Sequence, residues 1–130
     1  MDRIGVLAGV VLSSACLSSA FAQDRVVLSE EQAKEFILKK PFTVVREGGD
    51  RSIRFDFRAD GKVFQNTSRT GASAVSSSGS WHMNDNNGKV CVEFSDVNTR
   101  GVCFGVIEEG SATHLYTGKR NEPVIWATVK

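Results

Sequence analysis

A dominant charge is the first thing this 130-residue chain lacks: 16 Lys and Arg stand against 15 Asp and Glu, a formal net charge of +1. Nucleic-acid-binding domains carry a basic patch or stripe that tips this balance, so a nucleic-acid partner is not expected. Histidine is scarce, at two residues, and cysteine numbers three. Their spacing fits no C-x-x-C…H-x-x-x-H arrangement, which argues against a structural zinc site. No G-x-S-x-G elbow and no phosphate-cradling glycine loop occurs. The sequence therefore calls for no metal, no cofactor and no catalytic residue. The longest apolar run, residues 4–12, falls far short of the ~20 residues needed to cross a bilayer.

That short run has its own reading. A charged start (Met1, Asp2, Arg3) precedes it, and a small-residue stretch ending Ala20, Phe21, Ala22 follows. This is the n-region, h-region and A-x-A layout of a secretory signal peptide. Residues 1–22 are read as the signal and residues 23–130 as one mature domain, periplasmic or secreted, with no transmembrane span. An uncleaved anchor is one alternative, which the A-x-A fit disfavours; lipid attachment at Cys16 is the other, but Ser13, Ser14 and Ala15 before it lack the expected leucine. Loss of the signal removes Cys16 and leaves Cys91 and Cys103, an even count that small exported domains pair as a disulfide.

One helix is expected. Ser29 can cap it, Gln32 completes a capping box, and Glu30 and Glu31 suit its first turn. Ala33, Phe36, Ile37 and Lys40 share one stripe, and Pro41 stops the helix. From residue 42 the apolar period becomes two. Residues 42–47, 52–58, 62–67, 81–83, 90–94, 102–107, 113–116 and 124–129 read as short strands separated by turn residues. Ile53, Phe55 and Phe57 alternate with polar neighbours, and Asp60 with Gly61 marks a hairpin. Residues 71–80, rich in Ser, Gly and Ala, read as a mobile loop. About eight short strands with no helices between them imply a mainly β fold, an antiparallel barrel-like or sandwich sheet with one N-terminal helix.

The cysteines specify a register. If residues 90–94 and 102–107 form a hairpin with Cys91 opposite Cys103, then Val90 faces Phe104 and Val92 faces Val102. One register thus pairs the thiols and gathers the apolar residues on one face, whereas a one-residue slip breaks both. Closing this short loop is worth about 3 kcal/mol in the chain-entropy model.

Candidate functional residues are few. Arg46, Arg51, Arg54 and Arg58, with Lys62, cluster on or near the first hairpins, where Arg51, Arg54 and Arg58 could hold anionic sugars, head groups or an acidic partner. Their plainer role is a solvated edge whose charge prevents aggregation. Trp81 and Trp126 are the aromatics a ligand cavity would use, although a small core also needs them for packing. Asp56, Asp60 and Glu93 are the carboxylates an acid–base pair would draw on, but Asp56 balances Arg54 and Arg58, and the turn requires Asp60.

Gly79-Ser80-Trp81, Gly88-Lys89-Val90-Cys91 and Cys103-Phe104, with Asp60-Gly61 before them, resemble the small exported β-domain proteins of Gram-negative bacteria. In those proteins a G-[ST]-W strand precedes a G-x-[LV]-C…C-[FY] hairpin. The resemblance covers about the middle third of the chain and implies address and architecture, with no assigned activity. Gly79-Ser80-Trp81 is also similar to the G-x-W of lipocalins, which stands on their first strand; here it falls mid-chain. The functional expectation is an exported, non-enzymatic binding module whose partner is an envelope component, protein or small ligand. The alternatives are a small envelope hydrolase, or an inhibitor that inserts the loop around residues 74–78 into an enzyme's cleft.

Overall fold

Alternation of apolar and polar residues is what closes this chain on itself. A computed structural model describes residues 24–69, 71, 73–84, 87–95 and 99–130. The signal-peptide reading and Cys16 lie outside the described residues. Those residues form β1 (Arg25–Val27), α1 (Glu30–Lys39), β2 (Phe42–Arg46), β3 (Arg51–Phe57), β4 (Lys62–Arg69), β5 (Val75–Asn84), β6 (Lys89–Phe94), β7 (Val102–Glu109), β8 (Ala112–Lys119) and β9 (Glu122–Val129). Among them no helix is long and apolar enough to cross a membrane.

All pairings are antiparallel, and from β2 to β9 each strand lies beside its sequence neighbour. Pairing of β9 with β2, from Val44↔Val129 to Arg46↔Ala127, joins the two ends of the series. The sheet is therefore one ring of eight strands in up-and-down order, not two stacked layers. A ninth strand, β1, was not expected from the sequence. It lies along the far half of β7, from Arg25↔Glu109 to Val27↔Ile107, on the side that β6 leaves vacant.

Ser29 and Gln32 form the capping box in both directions: Gln32 N donates to Ser29 Oγ at 3.3 Å, and Ser29 N to Gln32 Oε1 at 3.0 Å. The stripe then buries Ala33 and Ile37 completely. Phe36 meets Phe42 at 5.0 Å between ring centroids, so α1 covers the end of the ring where β2 begins. From there aromatic contacts run through the interior. Phe42 stacks on Phe57 at 6.0 Å, Phe57 meets Phe104 edge-on at 6.1 Å, and Phe104 stacks on Trp126 at 6.3 Å. Such pairs add about 0.5–1.5 kcal/mol each beyond their buried area.

The hairpin expected at Asp60 and Gly61 is present. Gly61 takes a positive φ of 89°, Arg58 N donates to Lys62 O at 2.8 Å, and Asp60 Oδ1 accepts from Lys62 N at 3.1 Å. Cys91 and Cys103 are bonded, in the register Val90↔Phe104, Cys91↔Cys103, Val92↔Val102. Val90, Val92 and Phe104 point into the core, and the disulfide lies on the outer face.

One expectation is corrected. Residues 75–80 are not a mobile loop but the first half of β5, paired with β4 from Lys62↔Ser80 to Thr67↔Val75. Small side chains suit a crowded ladder here. A Cβ at Gly79 would lie 2.8 Å from the carbonyl carbon of Glu93 and would run into its oxygen, so β6 can approach only a glycine. Serine hydroxyls supply cross-links: Ser77 Oγ and Thr99 Oγ1 are 2.9 Å apart, and Ser95 Oγ donates to Ser78 O at 3.0 Å.

Outside the ring a second row is packed. Gly105 pairs with Tyr116, whose ring lies across it and is 1 % exposed. Lys89, also buried, donates from Nζ to Gly118 O and lies 5.6 Å from the Tyr116 ring centroid. An aromatic ring laid over a strand glycine covers backbone that would otherwise be bare. Arg120, in the β8–β9 turn, donates to the carbonyls of Leu28 and Val27 at 3.3 and 3.2 Å and ties that turn to the N-terminal segment.

Candidate functional site

Opposite the helix, where β2 ends and β3 begins, the ring is not filled. A cavity of about 630 Å³ opens there. Strand parity decides what lines it. Ile53 points inward, so Arg51, two residues before it, does too; Val63 points inward, so Gln65, Thr67 and Arg69 follow on the same face. Trp126, beside the bulge in the β8–β9 ladder, forms part of the wall together with Val102. Arg46 at the end of β2 and Arg100 ahead of β7 complete the cationic lining.

Among the described residues, the lining holds four arginines and no carboxylate. Arg51 and Arg69 stand directly opposite each other across β3 and β4. The Arg46 guanidinium lies 4.8 Å over the Trp126 ring, and its Nε is buried without a hydrogen-bond partner. On the hydroxyl side, Gln65 Nε2 donates to Thr67 Oγ1 at 3.0 Å, next to the Ser77–Thr99 pair. The cavity thus has an apolar wall, a hydroxyl-lined side and a guanidinium-rich mouth.

The candidates named from the sequence fall in three places. Arg51 lines the cavity. Arg54 and Arg58 face outward: Arg54 lines a shallow outer groove of about 470 Å³ with Phe64 and Asn66. Arg58 pairs with Asp56 Oδ2 at 3.1 Å and lies 4.7 Å over the Phe64 ring. Trp81 belongs to neither cavity lining. It packs edge-on against Phe57, and its Nε1 donates to Arg58 O at 2.7 Å, fastening the hairpin turn. Arg69 and Arg100 were not singled out from the sequence. Parity counted from Val63 would have placed Arg69 inside, but Arg100 lies in a loop, where no period applies.

A hydroxyl, an imidazole and a carboxylate do converge on the outer face. His114 Nδ1 is 2.8 Å from Thr128 Oγ1, and its Nε2 is 3.8 Å from Glu109. Glu109 is already held by Arg25 at 2.6 Å, a hydrogen bond that keeps its carboxyl below the usual range despite opposing desolvation. None of the three residues lines either cavity. The long imidazole–carboxylate distance and the competing arginine make this row a poor nucleophile system. His82 lies exposed on β5, opposite Cys91. Among the described residues no group of three or more His, Cys, Asp or Glu is placed to hold a metal ion. No protein-family model, curated protein or solved structure matches the chain.

Proposed function

We propose that this protein is an exported, non-enzymatic binding module, periplasmic or secreted, and that the cavity at the uncovered end of the ring receives a small ligand. The observation that carries the reading is the unequal treatment of the two ends. One end is filled by α1 and stacked phenylalanines, while the other keeps about 630 Å³ open against Trp126. That size lies within the range of about 300–1,000 Å³ usual for small-molecule sites, and eight-stranded rings have room for one small ligand. Export is supported by the signal-like N-terminus and the paired cysteines.

The inhibitor alternative required residues 74–78 as a free loop, and most of that segment is built into β5. Among the described residues, the hydrolase alternative has only the His114 row, on the outer face. Native mass spectrometry of protein recovered from the exported compartment tests the proposal. A small organic adduct is expected on the wild-type protein and not on Trp126→Ala. Recovery of a ligand-free chain beginning at Met1 would count against both parts. Ester hydrolysis abolished by His114→Ala would shift the reading to an enzyme.

A further inference from the structure

Resting on that reading, we infer that the cavity selects a small organic acid carrying at least two negative charges, with its apolar body against Trp126 and its acid groups between Arg51 and Arg69.

Like charges directly opposite each other across a strand pair destabilise a sheet, and Arg51↔Arg69 is such a pair. Two arginines outside the cavity are ion-paired: Arg25 with Glu109 and Arg58 with Asp56. Among the described residues, none of the four cavity arginines makes an ion pair. Among the described residues, no carboxylate lines the cavity to balance their charge. A buried guanidinium nitrogen without a partner carries an uncompensated desolvation cost, and Arg46 Nε is one. Guanidinium groups present planar forks of N–H donors that match carboxylate, sulfonate or phosphate oxygens two at a time. An anion with two such groups would relieve the Arg51–Arg69 repulsion and approach Arg46.

The rest of the lining states the ligand's other half. Trp126 adds aromatic surface, while Ile53 and Val102 add aliphatic surface. A bare inorganic anion would leave that wall unused. A polysaccharide or other polyanion would meet the mouth without filling the enclosed volume. A small molecule with separated apolar and acidic parts uses both.

Three probes sharing one naphthalene ring supply the test: the 2,6-disulfonate, the 2-sulfonate and the neutral 2-methanol, each titrated calorimetrically into the full-length protein. The disulfonate is expected to bind best, with about a tenfold loss for each charge removed. Added salt should weaken the disulfonate and leave the neutral probe unchanged. Arg51→Gln with Arg69→Gln should lower disulfonate affinity at least tenfold, spare the neutral probe, and leave the melting temperature equal or higher. Arg54→Gln should change nothing. Equal binding of all three probes, abolished by Trp126→Ala, would leave the cavity as a ligand site and overturn its selectivity for acids. No binding of any probe would overturn both. A double variant that loses binding and also melts lower would assign the two arginines to structure. Competition by heparin as strong as by the disulfonate would place recognition on the rim and refute the inference.

Discussion

Substituting Gly105 by Ala tests whether the Tyr116 ring packs on the outside of β7 as described. The new Cβ would lie 2.5 Å from Tyr116 Oη and closer still to Cε1 and Cζ. Carbon atoms in contact rest at about 3.5–4.0 Å, so the ring must lift by about 1 Å or more, loosening its contact with Lys89. Overpacking of this kind costs about 1–3 kcal/mol. Backbone strain adds nothing, because Gly105 is not among the glycines with positive φ. With Tyr116→Val in place the obstacle is gone. Replacing glycine by alanine within a strand then stabilises by about 0.5–1 kcal/mol, through the entropy of the unfolded chain. The same substitution should thus change sign between the two backgrounds, a coupling of about 1.5–4 kcal/mol, well outside the error of a double-mutant cycle. Urea unfolding followed by tryptophan fluorescence gives the four free energies. Equal effects of Gly105→Ala in both backgrounds would show that the ring does not lie across this strand.

Three further outcomes are expected. Removing the disulfide with Cys91→Ala and Cys103→Ala should lower unfolding free energy by about 3 kcal/mol, and reduction of the wild-type protein should shift the urea midpoint in the same direction; an unchanged midpoint would mean that the bond does not form. Burial pushes the Tyr116 phenol above its ordinary value of 10.0, against a smaller opposing pull from Arg120. The unfolded chain therefore ionises first, so this group's contribution is complete below about pH 10 and is lost as pH rises through the folded value. Tyr116→Phe should flatten the alkaline fall in melting temperature, and an identical slope would refute the burial argument. Ser29→Ala removes one side of the capping box and should cost about 1 kcal/mol, measured by thermal unfolding; restoration by Ser29→Asp would confirm the cap as the cause.

The elements legible in the sequence were those whose signal is local. The capping box at Ser29 and Gln32, the alternation through Ile53, Phe55 and Phe57, and the cysteine register each rest on spacing within one element or one hairpin. What escaped depends on distant partners. The three residues of β1 are held by the far half of β7, more than seventy residues on, and no period is visible in so short a strand. Residues 75–80 have the composition of a linker, yet their small side chains are what lets β6 come close at Gly79. The arginines were visible as a group but were grouped by proximity in sequence. The pleat divides them instead: it sends Arg51 inward while Arg54 stays out, and joins Arg51 to Arg69 on the next strand. Only closure of the ring turns that division into an inside and an outside.

The direct seam between β2 and β9 sets a condition on assembly. Synthesis delivers β2 early and β9 after the seven other strands of the ring, so until residues 122–129 are available the growing sheet has two bare margins. The contacts that remove those margins span more than eighty residues, and joining them is a slow, late event. Truncation within β9 should therefore leave no smaller folded remnant, only an unrolled sheet inclined to pair with its neighbours.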